Sequence, residues 1–366
     1  MALLNLKNLF RKNLVVLGAG QLGELLLKLW PREIPRPTLF LDNRRAGNID
    51  GIAIESTLSH QFSDSNTYVL AFFKDDPESI NKLFREVINQ EIVTAYDLLT
   101  SFEPDLFSNG WIGESNNLDK ASANLRFLAD ERSRNILESV IQWRYARFLS
   151  YNVELIDENS KYDLTRYGVM SDEYEFICDG GSYDMSFVLK QLKNGINAET
   201  IVIVEPDVSR YTEVKKIYSE AKETLPAKTV FHLDNRALWS STGVKDFYSN
   251  GLLSARVARF PTASCVSVRT VSLGDLMQEY KISPSSKALI KLHIEGAEWP
   301  VVESSIEMLL SFDRIDLLIN LSHDEDSLLN IPQTLGVSKK FDLFLDSHAL
   351  FGEGLTLFAK SKSYSL

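Results

Sequence analysis

A short apolar strand that runs into a glycine turn, followed by a second apolar strand closed by an acid, occurs twice in this chain. It restricts the chain to parallel α/β architecture. The clearer copy is EFICDGGSYDMS at 175–186 with IVIVEPD at 201–207. Phe176, Ile177 and Cys178 lead into Asp179, Gly180 and Gly181, so a buried strand is expected to end in a turn that lets a ligand approach backbone N–H groups. Glu205 then closes the apolar strand Ile201 to Val204. A carboxylate at the tip of the second strand of a βαβ unit can accept hydrogen bonds from both hydroxyls of a ribose, which points to a nucleoside-bearing ligand.

The other copy is NLVVLGAGQLG. Leu14 to Leu17 enters Gly18, Gly20 and Gly23, the apolar helix Leu22 to Trp30 follows, and the strand Thr38 to Leu41 ends in Asp42. Strand, turn, helix, strand and acid thus stand in the order a dinucleotide fingerprint requires, with the acid about 20 residues beyond the glycines. Gly18, Gly20, Gly23 and Asp42 are therefore a candidate site for a nucleotide or sugar nucleotide; equally, the glycines serve the tight strand-to-helix turn alone. Thr67 to Phe73 reads as a further strand, Pro77 to Asn89 as a helix and Ile92 to Tyr96 as a short strand, so residues 1–105 form a small Rossmann-like accessory domain.

At 366 residues, two domains are the default. A hydrophobic content of 44% supports folded domains, and a net charge of −11 argues against a nucleic-acid partner, since phosphate binding needs a basic surface. Two cysteines, Cys178 and Cys265, argue against a disulfide framework or thiolate zinc site. With no long uncharged run and no cleavage pattern, the expectation is a cytoplasmic protein without a membrane span. Leu3, Leu6 and Phe10 read as a helix stripe docked on the chain's own core.

Residues 106–170 differ in texture. Ser108 to Asn117 is polar, and Ala121 to Tyr151 has a helical pattern containing Trp143, Arg144 and Arg147, whose arginines are read as a solvated or interdomain face. This is a helical connecting segment. From residue 171 to 366 a second strand and helix alternation runs through Phe176–Cys178, Ile201–Val204, Thr229–Leu233, Val266–Val271, Ala288–Ile294, Ile315–Leu321, Phe341–Leu345 and Leu355–Lys360. A mostly parallel sheet is expected, with the last two strands as an antiparallel hairpin joined by DSHALFGEG.

IKLHIEGAEWPVVES at 290–304 is the second strong signal. Alternation puts Lys291, His293 and Glu295 on one strand face. Three ionisable groups on one side cannot all enter dry core, because unpaired burial costs about 2 to 7 kcal/mol even for a neutral polar group. A cleft at the strand's C-terminal end relieves them, and open α/β sheets bind ligands there. His293 is the first candidate general base, Glu295 the second or the residue that orients it, and Lys291 completes the set. The alternative is a structural network in which His293 and Lys291 pair with Glu295 or Glu298. His323 and His348 follow apolar strands and are candidates to line the same crevice, but the preferred reading of each is an ordinary loop histidine, and that of the HDED run at 323–326 a solvated loop, so no metal is expected.

The ordered set ICDGGSYDMSF, VEPD, NRALWS, VRTVSLGDLM and IKLHIEGAEWPVVES resembles the FkbM family of S-adenosylmethionine-dependent methyltransferases over about residues 171–360. The N-terminal unit resembles the Rossmann-like domain that precedes the methyltransferase in some bacterial members. The resemblance implies an α/β protein of two doubly wound domains, the second a class I methyltransferase fold. It implies S-adenosylmethionine as cofactor, with Asp179, Gly180, Gly181, Ser182 and Tyr183 beside its methionine part. Glu205 and Pro206 would then be at its ribose, and Asp234, Asn235, Leu238 and Trp239 at its adenine. It implies methyl transfer to a hydroxyl of a sugar, glycan precursor or other small metabolite. The sequence departs from the family where Tyr183, Asp184 and Met185 stand in place of a later loop glycine, which narrows the cofactor pocket. Two other readings are an NAD-dependent or sugar-nucleotide enzyme centred on Gly18 to Asp42, and a non-catalytic binding module.

Overall fold

The computed structural model describes residues 12–72, 77–87, 89–102, 113–146, 155–157, 160–169, 173–248, 256–257, 265–352 and 354–362. The chain divides into two compact units: Met1–Asp119 with Ser139–Ile156 and Ala349–Glu353, and Lys120–Glu138 with Asp157–His348 and Gly354–Leu366. The stretch 106–170 is thus shared between the units. The stripe Leu3, Leu6 and Phe10, and Arg147, lie outside the described residues. Arg144 is buried and is not part of a solvated face.

In the first unit the strands are β1 (Asn13–Leu17), β2 (Leu39–Leu41), β3 (Gly47–Ile49), β4 (Ile52–Glu55), β5 (Asn66–Leu70) and β6 (Glu91–Thr94), in the order β3-β4-β2-β1-β5-β6. All neighbours are parallel except β3 and β4. Leu14 to Leu17 and Tyr68 to Leu70 are almost wholly buried, as expected of central parallel strands. Helix α1 (Gln21–Lys28) follows β1 directly. A Cβ on Gly23 would stand 2.4 Å from the Gly18 carbonyl oxygen, so glycine is what allows this helix to close on the turn. Helices α2 (Pro77–Val87) and α3 (Ala95–Phe102) complete the alternation. The strand foreseen over Ile92 to Tyr96 stops at Thr94, where Thr94 and Asp97 exchange side chain and backbone hydrogen bonds that start α3.

Helices α4 (Leu118–Ala123) and α5 (Glu131–Ala146) precede the second unit's sheet. Its strands are β7 (Glu173–Gly180), β8 (Asn197–Val204), β9 (Val230–Asp234), β10 (Ala237–Leu238), β11 (Gly243–Tyr248), β12 (Arg256–Val257), β13 (Cys265–Val271), β14 (Lys287–Leu292), β15 (Arg314–Asn320), β16 (Phe341–Ser347) and β17 (Leu355–Ser361). Seven form the main sheet in the order β16-β17-β15-β14-β7-β8-β9, parallel from β9 to β15, with β17 antiparallel to β15 and to β16. The chain winds outward from β7 to β9, then returns to β14 on the other side. The boundary between β7 and β14 is therefore the topological switch point, where a crevice opens at the strand ends.

One expectation is corrected here. Val266 to Val271 is not a strand of the main sheet; β13 belongs to a four-stranded sheet of order β10-β13-β11-β12. Its sequence, CVSVRTV, alternates apolar and polar, and Val266, Ser267 and Arg269 are exposed, whereas the buried β14 begins KALI. A strand covered on both faces needs the second composition.

Candidate functional site

Asp179 and Gly180 still pair in register with β14 and β8, so β7 continues to the glycine turn. Gly181 has φ +71°, and a Cβ there would lie 1.9 Å from the His293 carbonyl oxygen: the end of β14 comes too close for any side chain. The expectation of turn N–H groups free for a ligand is not met. Gly181 and Ser182 both donate to the Val204 carbonyl, at 2.9 and 3.2 Å, and Tyr183 donates to Glu205 Oε2 at 3.0 Å. The turn uses its donors to bind the tip of β8.

Beneath the turn, Lys291 is buried at 1% exposure. Its ammonium lies 2.9 Å from Asp179 Oδ1 and donates to the Gly181 carbonyl at 2.6 Å, while Ser182 Oγ donates to Asp179 Oδ2 at 2.8 Å. Burial works to neutralise Lys291, but Asp179 outweighs it and holds the pKa up at about 12. Lys291 is thus a floor residue that pairs with Asp179, and not with Glu295 or Glu298.

Two of the residues that stand in place of the expected loop glycine take a backbone conformation that glycine favours. Tyr183 and Met185 have φ of 55° and 59°, in the left-handed region. Met185 is wholly buried at the head of helix α6 (Ser186–Lys193), and the Arg210 guanidinium stacks 4.0 Å from the Tyr183 ring centroid.

Glu205 stands at the end of β8. Its two oxygens accept from the Tyr183 and Asp207 N–H groups, each at 3.0 Å. Burial pushes its pKa up, and those two amides pull the other way. Asp207 caps helix α7 (Val208–Ala221), accepting from the Ser209 and Arg210 N–H groups. The crevice beside these residues is lined by Gly181, Ser182, Tyr183, Glu205, Pro206, Leu238, His293 and Glu295 among the sequence-derived candidates. Lys161, Tyr162, Asp184, Arg210 and Phe247 also line it. Asp179, Gly180 and Lys291 lie below it, outside the lining. Asp234, Asn235 and Trp239 are outside it as well. Asp234 forms a bidentate pair with Arg236, and Asn235 Nδ2 donates to the Glu205 and Pro206 carbonyls. Asn235 therefore braces the Glu205 strand end.

The second wall differs from its sequence reading. The β14 strand ends at Leu292, and Glu295 sits in a turn at φ 53°, so strict alternation carries only as far as His293. Glu298, the first residue of helix α8 (Glu298–Ser311), closes this turn by accepting from Ile294 N and Gly296 N, both at 2.8 Å. His323, read from sequence as a loop histidine, is buried at 1% exposure. Its Nδ1 is 2.7 Å from Glu298 Oε1 and its Nε2 is 3.2 Å from Glu295 Oε1. His293 Nε2 lies 3.5 Å from that same Glu295 oxygen, and its Nδ1 is 3.0 Å from the Tyr162 hydroxyl.

Burial disfavours the charge on every member of this cluster, but the members differ in outcome. Desolvation dominates at His293 and lowers its pKa to about 4. At His323 the two carboxylates overcome desolvation and raise the pKa well above the usual imidazole value. Glu295 and Glu298 are both held below the ordinary carboxylate range by His323 despite their burial. The HDED run is not a solvated loop either: Asp324 caps helix α9 (Glu325–Val337), accepting from Ser327 N at 2.6 Å, and Glu325 and Asp326 occupy its first turn. Tyr162 is the site residue that sequence reasoning missed; Glu298 entered it only as a structural partner, and His323 was set aside in favour of the loop reading.

In the first unit a separate crevice is lined by Gly18, Gly20, Asp42, Asn43, Arg44 and Arg45, with His60 and Phe62 among others; Gly23 packs below it. Asp42 accepts from Ala19 N at 2.8 Å through one oxygen and from Arg44 N and Arg45 N through the other. Acid and glycine loop are joined, which brings three of the four predicted residues to one opening.

The fold has a counterpart among solved structures. The FkbM methyltransferase of Methylobacillus flagellatus superposes with a TM-score of 0.66 at 16% identity, covering 95% of this chain and 90% of that one. A methyltransferase from Geobacter sulfurreducens (12% identity, 69% of this chain and 98% of that one) overlaps only loosely, with a TM-score of 0.32. So does the N-terminal domain of human METTL16 in complex with SAH (11%, 69% and 95%, TM-score 0.32). No family model and no curated protein matches the chain. Among the described residues no helix is long and apolar enough to cross a membrane.

Proposed function

We propose that this chain, which has the fold of the FkbM methyltransferase, is itself an S-adenosylmethionine-dependent methyltransferase acting on a hydroxyl of a small acceptor such as a sugar or glycan precursor. The observation that carries this reading is the crevice at the switch point. Glu205 stands on one side over the Gly180–Gly181 turn, and His293 and Glu295 stand on the other. The residues fit the cofactor by type. Glu205 keeps unused lone pairs for a ribose, Leu238 and Phe247 supply apolar wall for adenine, and the acids near the turn suit a sulfonium.

The cofactor supplies an electrophilic methyl group; the protein orients the acceptor oxygen in line with it. The acceptor oxygen would lose its proton in that transfer. His293 is neutral at pH 7, its pKa being about 4, and its Nδ1 is engaged by Tyr162. Glu295 beside Nε2 would stabilise the imidazolium formed when it takes that proton. A net charge of −11 favours a small acceptor over a nucleic acid.

For the first unit we infer a nucleotide or sugar-nucleotide handle at Gly18, Gly20 and Asp42, supported by the basic pair Arg44 and Arg45 at the same opening. Residues 1–105 then serve as an accessory domain to a methyltransferase domain over 171–366. The test of the main reading is calorimetry with S-adenosylhomocysteine. Wild type should bind it, and Glu205→Ala should weaken binding at least tenfold, about 1.4 kcal/mol. Absence of binding to the folded wild type would sink the reading.

A further inference from the structure

His293 Nε2, His323 Nε2 and Glu295 Oε1 converge, with all three donor atoms within 4.8 Å of one another. Two of the separations, 3.2 and 3.5 Å, match the edge of a tetrahedron built from metal–ligand bonds of about 2.0–2.2 Å, which is about 3.4 Å. We propose that these three residues form a binding site for a divalent first-row transition ion. This assigns His323, and not the HDED acids, as the ligand from the β15 side.

Two independent features support the assignment. The first is the set of partners behind the ligands. Histidines that hold a metal hold their other ring nitrogen in a fixed hydrogen bond, most often to a carboxylate. His323 Nδ1 faces Glu298 at 2.7 Å, and His293 Nδ1 faces the Tyr162 hydroxyl at 3.0 Å, so in both rings Nε2 is the atom left toward Glu295. Glu298 is itself fixed by Ile294 N and Gly296 N. The second feature is an orphaned atom: Glu295 Oε2 is buried and has no hydrogen-bond partner. This is the second oxygen of the carboxylate whose Oε1 is the proposed ligand; a buried carboxylate with an unpartnered oxygen is costly, and a cation bound to that carboxylate offsets its charge. Two nitrogens and one oxygen select for zinc-, cobalt- or iron-type ions over magnesium or calcium.

Of the three ligands, His293 and Glu295 line the crevice and His323 lies behind them, so an open coordination position would face the crevice and not the core. With the ion bound, His293 would be a ligand and not the general base; the ion would take over that role as a Lewis acid, lowering the pKa of an acceptor hydroxyl whose proton would pass to solvent before methyl transfer. That catalytic use rests on the methyltransferase reading; the metal site does not.

The experiment uses the full chain, stripped with chelator and titrated with Co2+, Zn2+ and Mg2+. Bound metal is measured after equilibrium dialysis, and the visible absorption of the Co2+ form is recorded, with S-adenosylhomocysteine calorimetry in parallel. One Co2+ or Zn2+ per chain is expected, with low-symmetry Co2+ bands and at least tenfold weaker Mg2+ binding. Glu295→Gln and His323→Ala should abolish uptake while S-adenosylhomocysteine still binds. Glu298→Gln, a positioning change, should weaken metal affinity about 10- to 100-fold. If His323→Ala does not fold, the near-isosteric Glu295→Gln decides alone. Uptake below one ion per chain in protein that binds S-adenosylhomocysteine, or uptake unchanged in Glu295→Gln, overturns the metal site and leaves the methyltransferase reading standing. Stoichiometric metal without any S-adenosylhomocysteine binding upholds the site and overturns that reading.

Discussion

Lys291 illustrates how much of this site is fixed one residue at a time. Its ammonium has no route to water and is matched by Asp179 and the Gly181 carbonyl. Replacing it by Met would strand Asp179 in the interior, and breaking one partner of a buried pair costs about 3–5 kcal/mol. Urea unfolding of Lys291→Met should show that loss, and the pair Lys291→Met with Asp179→Asn should recover part of it. At this scale the sequence was legible where chemistry and chain position coincide. Asp179, Gly181 and Glu205 are recognisable because turn, strand end and acid lie within about 30 residues in a fixed order. The contact between Tyr162 and His293 spans 131 positions and the one between His323 and Glu298 spans 25, across a helix and a strand. No local period encodes either, so His323 reads as an ordinary loop histidine until the sheet places β14 beside β15.

Among elements, the junction of β7 with β14 decides whether the crevice exists. Gly181→Ala would meet the His293 carbonyl oxygen and also force an L side chain into the left-handed region, a conformation that costs about 1–2 kcal/mol on its own. With the clash added, a loss on the order of 3 kcal/mol is expected, together with loss of S-adenosylhomocysteine binding, measurable as a lowered melting temperature and a silent calorimetric titration. The main sheet's parallel strands were readable as continuous apolar runs. The small sheet was not separated from them, because strand propensity says that Cys265 to Val271 extends but not which edge it joins. Only its alternation of valines with Ser267, Arg269 and Thr270 hinted at a half-exposed position.

For the whole molecule, several buried protons point the same way. Burial raises the pKa of Cys178, of Tyr162 to about 12, and of Tyr167, which Asp346 raises further. Lys291, where Asp179 outweighs burial, stands at about 12. Each group holds its proton more tightly in the folded chain than in the unfolded one. The associated stability is complete below the unfolded values, about 8.5 for Cys, 10 for Tyr and 10.4 for Lys, and drains away as pH rises toward the folded values. Beyond its unfolded pKa each group contributes a slope of about 1.4 kcal/mol per pH unit. Denaturant midpoints should therefore fall between pH 8 and pH 10.5 by the equivalent of roughly 4 kcal/mol, chiefly through Cys178, and Cys178→Ala should flatten the first part of that decline.

Glu205 holds the Tyr183 and Asp207 amides. The carboxylate proposed for a ribose is therefore also the clasp that joins the tip of β8 to the loop after β7. The same economy sets a limit: any drift of this carboxylate toward a differently shaped ligand would loosen the loop that forms the crevice wall, so selectivity at this end of the site is inherited from the protein's own stability.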